Sequence, residues 1–228
     1  MGEVIEFPSN GSSASGYLVL PETGSGPGLV VIQEWWGLVD HIKDVCDRFA
    51  AAGFVALAPD LYHGETTTEP DEAGKLMMAM NISRAVKDMS GAVTHLQQSD
   101  AVTSEKLGVT GYCMGGGLAL ALACERPDVI SACVPFYGII PWPDLAPDYD
   151  KLEASIQGHF AENDGMFNPE LVRRLEEELR AKGKDVELFI HPGVDHAFFN
   201  DTRDDVYHEA TAAKAWASTL AFLRANIS

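Results

Sequence analysis

Eight runs along the chain are rich in apolar and β-branched residues: EVIEF (3–7), GYLVL (16–20), GLVVIQE (28–34), FVALAPDLY (54–62), KLGVTGY (106–112), ISACVPFYG (130–138), ASIQGHF (154–160) and DVELFIHPG (185–193). From the third onward they are nearly continuous in apolar residues, as strands are when helices cover both faces of a parallel sheet. Between them the spacing turns helical. In NPELVRRLEEELRAKGK, Asn168 is placed to cap a helix, Pro169 suits its first position and Gly183 suits its stop. HIKDVCDRFAAAG closes on Gly53, and RAVKDMSGAVTHLQQ is amphipathic. Towards the end, Val206, Ala210, Ala213, Trp216, Leu220 and Leu223 recur every three or four residues, which predicts a helix burying that face. The first two runs predict an antiparallel edge. The alternation predicts an α/β fold: one mostly parallel central sheet of about eight strands with helices on both faces, in a single domain over 1–228. The least regular segment, HGETTTEPDEAGKLMMAMN (63–81), predicts an excursion over one end of the sheet, with Met77, Met78 and Met80 read as core rather than as a ligand wall.

Composition then narrows the class. Hydrophobic residues make up 46% and charged residues 22% of the 228, ordinary for a globular chain. No run approaches the roughly 18 consecutive apolar residues of a membrane span. The N-terminus lacks a basic region followed by an apolar stretch, so no signal peptide is expected and the expected location is the cytoplasm, without a membrane partner. With 16 Lys and Arg against 34 Asp and Glu, the net charge of −18 opposes a nucleic-acid partner, and it repels any anionic substrate that local cations do not meet. Cys46, Cys113, Cys124 and Cys133 are scattered and form no CxxC pair, so neither a zinc site nor a disulfide framework is expected, and no cofactor.

One turn stands apart. In VTGYCMGGGLAL (109–120) a β-branched run passes through glycines and a cysteine into an Ala/Leu-rich segment. A dinucleotide loop of the G-x-G-x-x-G type needs a glycine where Cys113 stands. A plain packing turn accounts for Gly115–Gly117 but not for a cysteine at the tip. A nucleophile elbow, G-x-nucleophile-x-G, matches Gly111-Tyr112-Cys113-Met114-Gly115 and aims the next helix's N-terminus at the thiol. Such a turn requires an acid and then a histidine further along, each after a strand. ENDG (162–165) offers Asp164, with Glu162 and Asn163 as neighbours able to take its place, and HPGVDH (191–196) offers His196, with His191 as rival at the strand end. The remaining histidines read as surface or satisfied core.

With these residues assembled, the chain resembles the dienelactone hydrolase family, cysteine-using members of the α/β-hydrolase fold. The resemblance runs through QEWWG (33–37), APDLY (58–62), GYCMGG (111–116), FYG (136–138), ENDGMFNP (162–169) and PGVDHAFFN (192–200). It implies a Cys113–His196–Asp164 triad, a catalytic Glu34 that contacts the resting thiol and takes part in its activation when substrate arrives, and an oxyanion hole from the backbone N–H groups of Met114 and Trp35. Trp35, Trp36 and Tyr137 become candidate pocket residues, aromatic side chains at strand ends being equally good core. It also implies hydrolysis of an activated ester or lactone through an acyl-thioester, by a monomer or homodimer acting on a small molecule. Members acting on dienelactone hold its carboxylate with two arginines. Here the first region reads TEPDEAGK and the second position is Asn200, leaving Arg84 and Arg203 as the nearby candidates. The dienelactone substrate therefore does not come with the resemblance. A broader carboxylesterase, or a redox-sensing thiol protein on the same fold, fits the same residues.

Overall fold

The computed structural model describes residues 2–9, 11–140 and 146–227. Its strands are β1 (Glu3–Ser9), β2 (Ser12–Val19), β3 (Gly28–Ile32), β4 (Val55–Pro59), β5 (Leu107–Tyr112), β6 (Ile130–Phe136), β7 (Ser155–Ala161) and β8 (Val186–His191). Its helices are α1 (Asp40–Ala51), α2 (Pro70–Ala79), α3 (Ile82–Gln97), α4 (Met114–Glu125), α5 (Pro169–Ala181) and α6 (Glu209–Asn226). The strands form one sheet in the order β1-β2-β4-β3-β5-β6-β7-β8. β1 and β2 add an antiparallel edge, and β3 through β8 run parallel. This is the α/β-hydrolase fold.

Two apolar layers flank the sheet. One joins strand residues such as Val30, Leu57 and Val109 to Met89 of α3, Leu118 of α4 and Leu175 of α5; the other joins Leu29, Val31 and Val134 to Ile42 of α1 and Ala215 of α6. Strands β3, β4 and β5 are buried at every position, which is why their sequences do not alternate. α4 is apolar all round because it too is buried along its length, from Met114 to Cys124. Among the described residues no helix is long and apolar enough to cross a membrane.

α5 begins and ends as its sequence predicts. The Asn168 side chain accepts hydrogen bonds from the N–H groups of Glu170 and Leu171, and Gly183 takes φ +73° just beyond the end. Two expectations change. On α6 the expected stripe holds in part: Trp216, Leu220 and Leu223, with Val206 just before the helix, pack against the core, whereas Ala210 and Ala213 face solvent and Ala212, Ala215 and Thr219 are buried instead. Alanine carries too little apolar surface to fix a helix's rotation, and Thr219 is buried because its hydroxyl meets Nε2 of His159 at 3.2 Å. The segment 63–81 is more ordered than its composition predicts: α2 lies within it, opening on Pro70 with Asp71 and Glu72 in its first turn.

Candidate active site

Four strand ends on one edge of the parallel sheet bring the candidate residues together, as ligand sites in open α/β sheets are built. Glu34 follows β3, Cys113 follows β5, Asp164 follows β7 and His196 follows β8.

The turn from β5 into α4 is closed by steric necessity. A Cβ on Gly111 would come within 2.0 Å of the Gly115 carbonyl oxygen, and one on Gly115 within 2.4 Å of the Gln33 carbonyl oxygen. Cys113 itself takes φ +55°, an unfavourable region for a residue with a Cβ, and its N–H is fixed by the Phe136 carbonyl at 3.1 Å. The turn therefore lifts the Cys113 side chain off the sheet. Met114 opens α4, so its N–H has no partner within the helix.

The four cysteines differ sharply. Cys46, Cys124 and Cys133 are buried, and burial pushes each thiol up, Cys124 to about 12. Cys113 is half-buried and opens on a cavity of about 100 Å³ lined by Glu34, Trp35, Trp36, Phe167, His196 and Arg203, among others.

His196 is oriented from three sides. Its Nδ1 lies 2.6 Å from Asp164 Oδ2, the Tyr137 ring meets it edge-on at 5.1 Å, and the Phe167 ring lies tilted at 6.0 Å. Asp164 is buried at 3% exposure, and its Oδ1 accepts the N–H groups of Met166 at 2.8 Å and Phe167 at 2.9 Å. Burial alone would raise the Asp164 carboxyl, but the His196 hydrogen bond and charge, with the two backbone donors, hold it low. Burial alone would likewise lower the His196 imidazole. Hydrogen bonds to Asp164 and to the Cys113 thiol, with the charges of both, instead raise it to about 10. The rival, His191, faces inward: its Nε2 lies 3.1 Å from Nδ1 of the buried His159. Glu162 accepts the Gly193 N–H at 2.8 Å, leaving Asp164 as the carboxylate on the histidine.

The remaining candidates separate. Glu34, 1% exposed, lines the cavity and accepts a hydrogen bond from Asn200 Nδ2 at 3.0 Å. Trp36 and Arg203 line the cavity as well, and one Arg203 nitrogen pairs with Asp205 at 2.7 Å. Tyr137 is fully buried and backs the imidazole rather than forming cavity wall. Arg84 is elsewhere: its guanidinium turns to His63 and Asp88, beside a different depression. Met77, read from sequence as core, lines the cavity, as do Met166, Phe167 and Ala197. Phe167 and Ala197 adjoin the triad candidates in sequence, which is a usable signal; nothing local marks Met77, which arrives from α2.

Comparison with known proteins follows the same pattern. The dienelactone hydrolase family profile matches residues 14–227. The chain is 41% identical to the protein named usf of Aquifex pyrophilus, covering 98% of both chains. It is 31% identical to a Bradyrhizobium protein named as a 2-oxo-3-(5-oxofuran-2-ylidene)propanoate lactonase, covering 96% of this chain and 92% of that one. A solved Klebsiella pneumoniae structure named as a dienelactone hydrolase superposes with a TM-score of 0.88 at 27% identity, covering 98% of both.

Proposed function

This chain belongs to the dienelactone hydrolase family, and from that premise we propose that it is a carboxylic ester hydrolase acting on lactones and activated esters through Cys113, His196 and Asp164. The observation that carries this reading is the Asp164–His196 pair lying in the same open cavity as a thiol held at the tip of a strained turn.

The chemistry runs in two halves. The Cys113 thiolate attacks the carbonyl carbon, and the oxyanion is met by the N–H groups of Met114 and Trp35. His196, protonated while paired with the thiolate, gives its Nε2 proton to the leaving oxygen as the C–O bond breaks. Once the sulfur is acylated its negative charge is gone, and with it one cause that raises the imidazole. The imidazole then accepts a proton from the water that attacks the thioester, and collapse of the intermediate releases the acid and expels the thiolate beside the protonated imidazole, restoring the starting pair. Asp164 keeps Nδ1 protonated and the ring turned to the sulfur.

Cysteine restricts the substrate. Thiolate leaves a tetrahedral intermediate more readily than most alkoxides, so the first half goes forward only when the leaving oxygen is itself stabilised, as in enol lactones and aryl esters. Amides are poor candidates. The tryptophans, methionines and Phe167 of the cavity wall suit an apolar or aromatic body.

The test is direct. Rapid mixing with an aryl ester is expected to give a burst of one phenolate per chain and an acyl mass increment mapped to Cys113. A burst with the acyl group elsewhere, or turnover without one on Cys113, overturns the assignment.

Substrate charge is tested separately. Arg203→Ala is expected to raise KM for an ester carrying a carboxylate by about three- to tenfold, the modest size reflecting the share of the guanidinium already paired with Asp205. Arg84→Ala, outside the cavity, is expected to leave the same KM within twofold.

A further inference from the structure

Asn200 is 3% exposed and lies on the loop that carries His196, four residues beyond it. Every polar group it owns is engaged. Its N–H donates to the Ala197 carbonyl at 2.9 Å, and its own carbonyl accepts the Arg203 N–H at 3.2 Å. Its Oδ1 accepts both the N–H and the hydroxyl of Thr202, at 3.1 and 2.6 Å, and its Nδ2 donates to Glu34 Oε2 at 3.0 Å. The amide cannot be turned round without harm. A backbone N–H can only donate and an ionised carboxylate only accept, so both neighbours demand this orientation.

Glu34 is nearly inaccessible, shares the cavity with Cys113, and takes its hydrogen bond from Asn200; among the described residues none joins it to the thiol. The Cys113 thiol shares that cavity with His196, whose imidazole it helps to raise. A carboxylate free to reach the thiol would change that pairing. It would accept the S–H hydrogen bond, favouring the protonated thiol, and its charge would oppose thiolate formation. The other titratable or charged groups around the thiol are Tyr62, Tyr137, Asp164 behind the imidazole, and Arg203.

We propose that Asn200 is a positioning residue that holds the Glu34 carboxylate away from the Cys113 thiol, so that the resting thiol is paired with His196 before any substrate arrives. This rests on the reading of Cys113 as nucleophile. It adds that the enzyme is armed at rest, by one neutral amide donated from the loop of the base to the strand end beside the nucleophile.

The experiment is the pH profile of Cys113 alkylation by iodoacetamide, without substrate, with the modified residue identified by mass. Wild type is expected to react readily at neutral pH. Asn200→Ala removes the donor without adding charge, and its rate at pH 7 is expected to fall about tenfold, with the rise in rate moved to higher pH. Adding Glu34→Gln to Asn200→Ala is expected to restore the neutral-pH rate, because the charge that Asn200 restrains is gone. General loosening of the loop would not be reversed by that second change. Should Asn200→Ala fail to fold, Asn200→Asp keeps the acceptor for Thr202, loses the donor, and is expected to react as slowly. Profiles of Asn200→Ala or of Asn200→Asp that superimpose on wild type, or a double variant as slow as Asn200→Ala, overturn the proposal. Failure of the nucleophile reading looks different: fully alkylated wild type would still hydrolyse an aryl ester.

Discussion

Cys113→Ala is expected to lower kcat/KM for an aryl ester by about ten-thousand-fold or more while leaving the circular dichroism spectrum unchanged and Tm within a few degrees. The large effect follows from the removal of the atom that forms the covalent bond. What survives is the rate that oxyanion donors and substrate binding give to direct attack by water, which in comparable triads is well above the uncatalysed rate but far below the enzyme's. The small structural effect follows from the turn. Alanine keeps the Cβ and meets the same strain at φ +55°, the backbone bond from Cys113 N–H to the Phe136 carbonyl does not involve the side chain, and the half-buried sulfur packs only at the margin of the two apolar layers. Turnover persisting near the wild-type rate in a folded variant would remove the nucleophile assignment and the thioester with it.

How much of this site is legible in sequence depends on how local its causes are. The Asn168–Pro169 opening and Gly183 close of α5 are readable because capping uses side chains within a turn of the helix end. The elbow is readable because the crossing of β5, α4 and the chain after β3 forbids a Cβ at Gly111 and Gly115. Asp164 and His196 follow from chain order and their place after strands. Glu34 is different: its position beside the thiol comes from resemblance, because a glutamate at a strand end carries no signature of what it faces. Met77 and the pairing of Asn200 with Glu34 are farther from view, since each joins segments distant in sequence. The stripe of α6 holds at Trp216, Leu220 and Leu223 but not at its alanines, for a related reason. A stripe that relies on Ala210 and Ala213 has little apolar area to assert itself against the pairing of Thr219 with His159.

His196→Ala is expected to lower kcat/KM about a thousand- to ten-thousand-fold, and His191→Ala only a few-fold, although the two histidines stand five residues apart. Both halves of the proposed reaction pass through the His196 imidazole: one needs its proton, the other needs its lone pair, and Asp164 at 2.6 Å holds the ring for both. His191 is occupied by His159 at 3.1 Å, and its loss leaves a buried ring nitrogen unpaired, which costs about 1–3 kcal/mol of stability rather than catalytic rate. The pH dependence separates them further. The fold raises the His196 imidazole to about 10, above its unfolded value of about 6.5, so its protonated form is the one the native state favours. Its contribution to stability is complete below about pH 6.5 and is lost as pH rises through about 10. Wild-type Tm should therefore decline relative to His196→Ala between those limits, and the difference should vanish at the alkaline end. His191, pushed down by burial and then by the charge of Lys214, has no such alkaline limb. Equal losses of rate in the two variants, or a larger loss in His191→Ala, would assign the base to the wrong histidine, whatever the fate of Cys113.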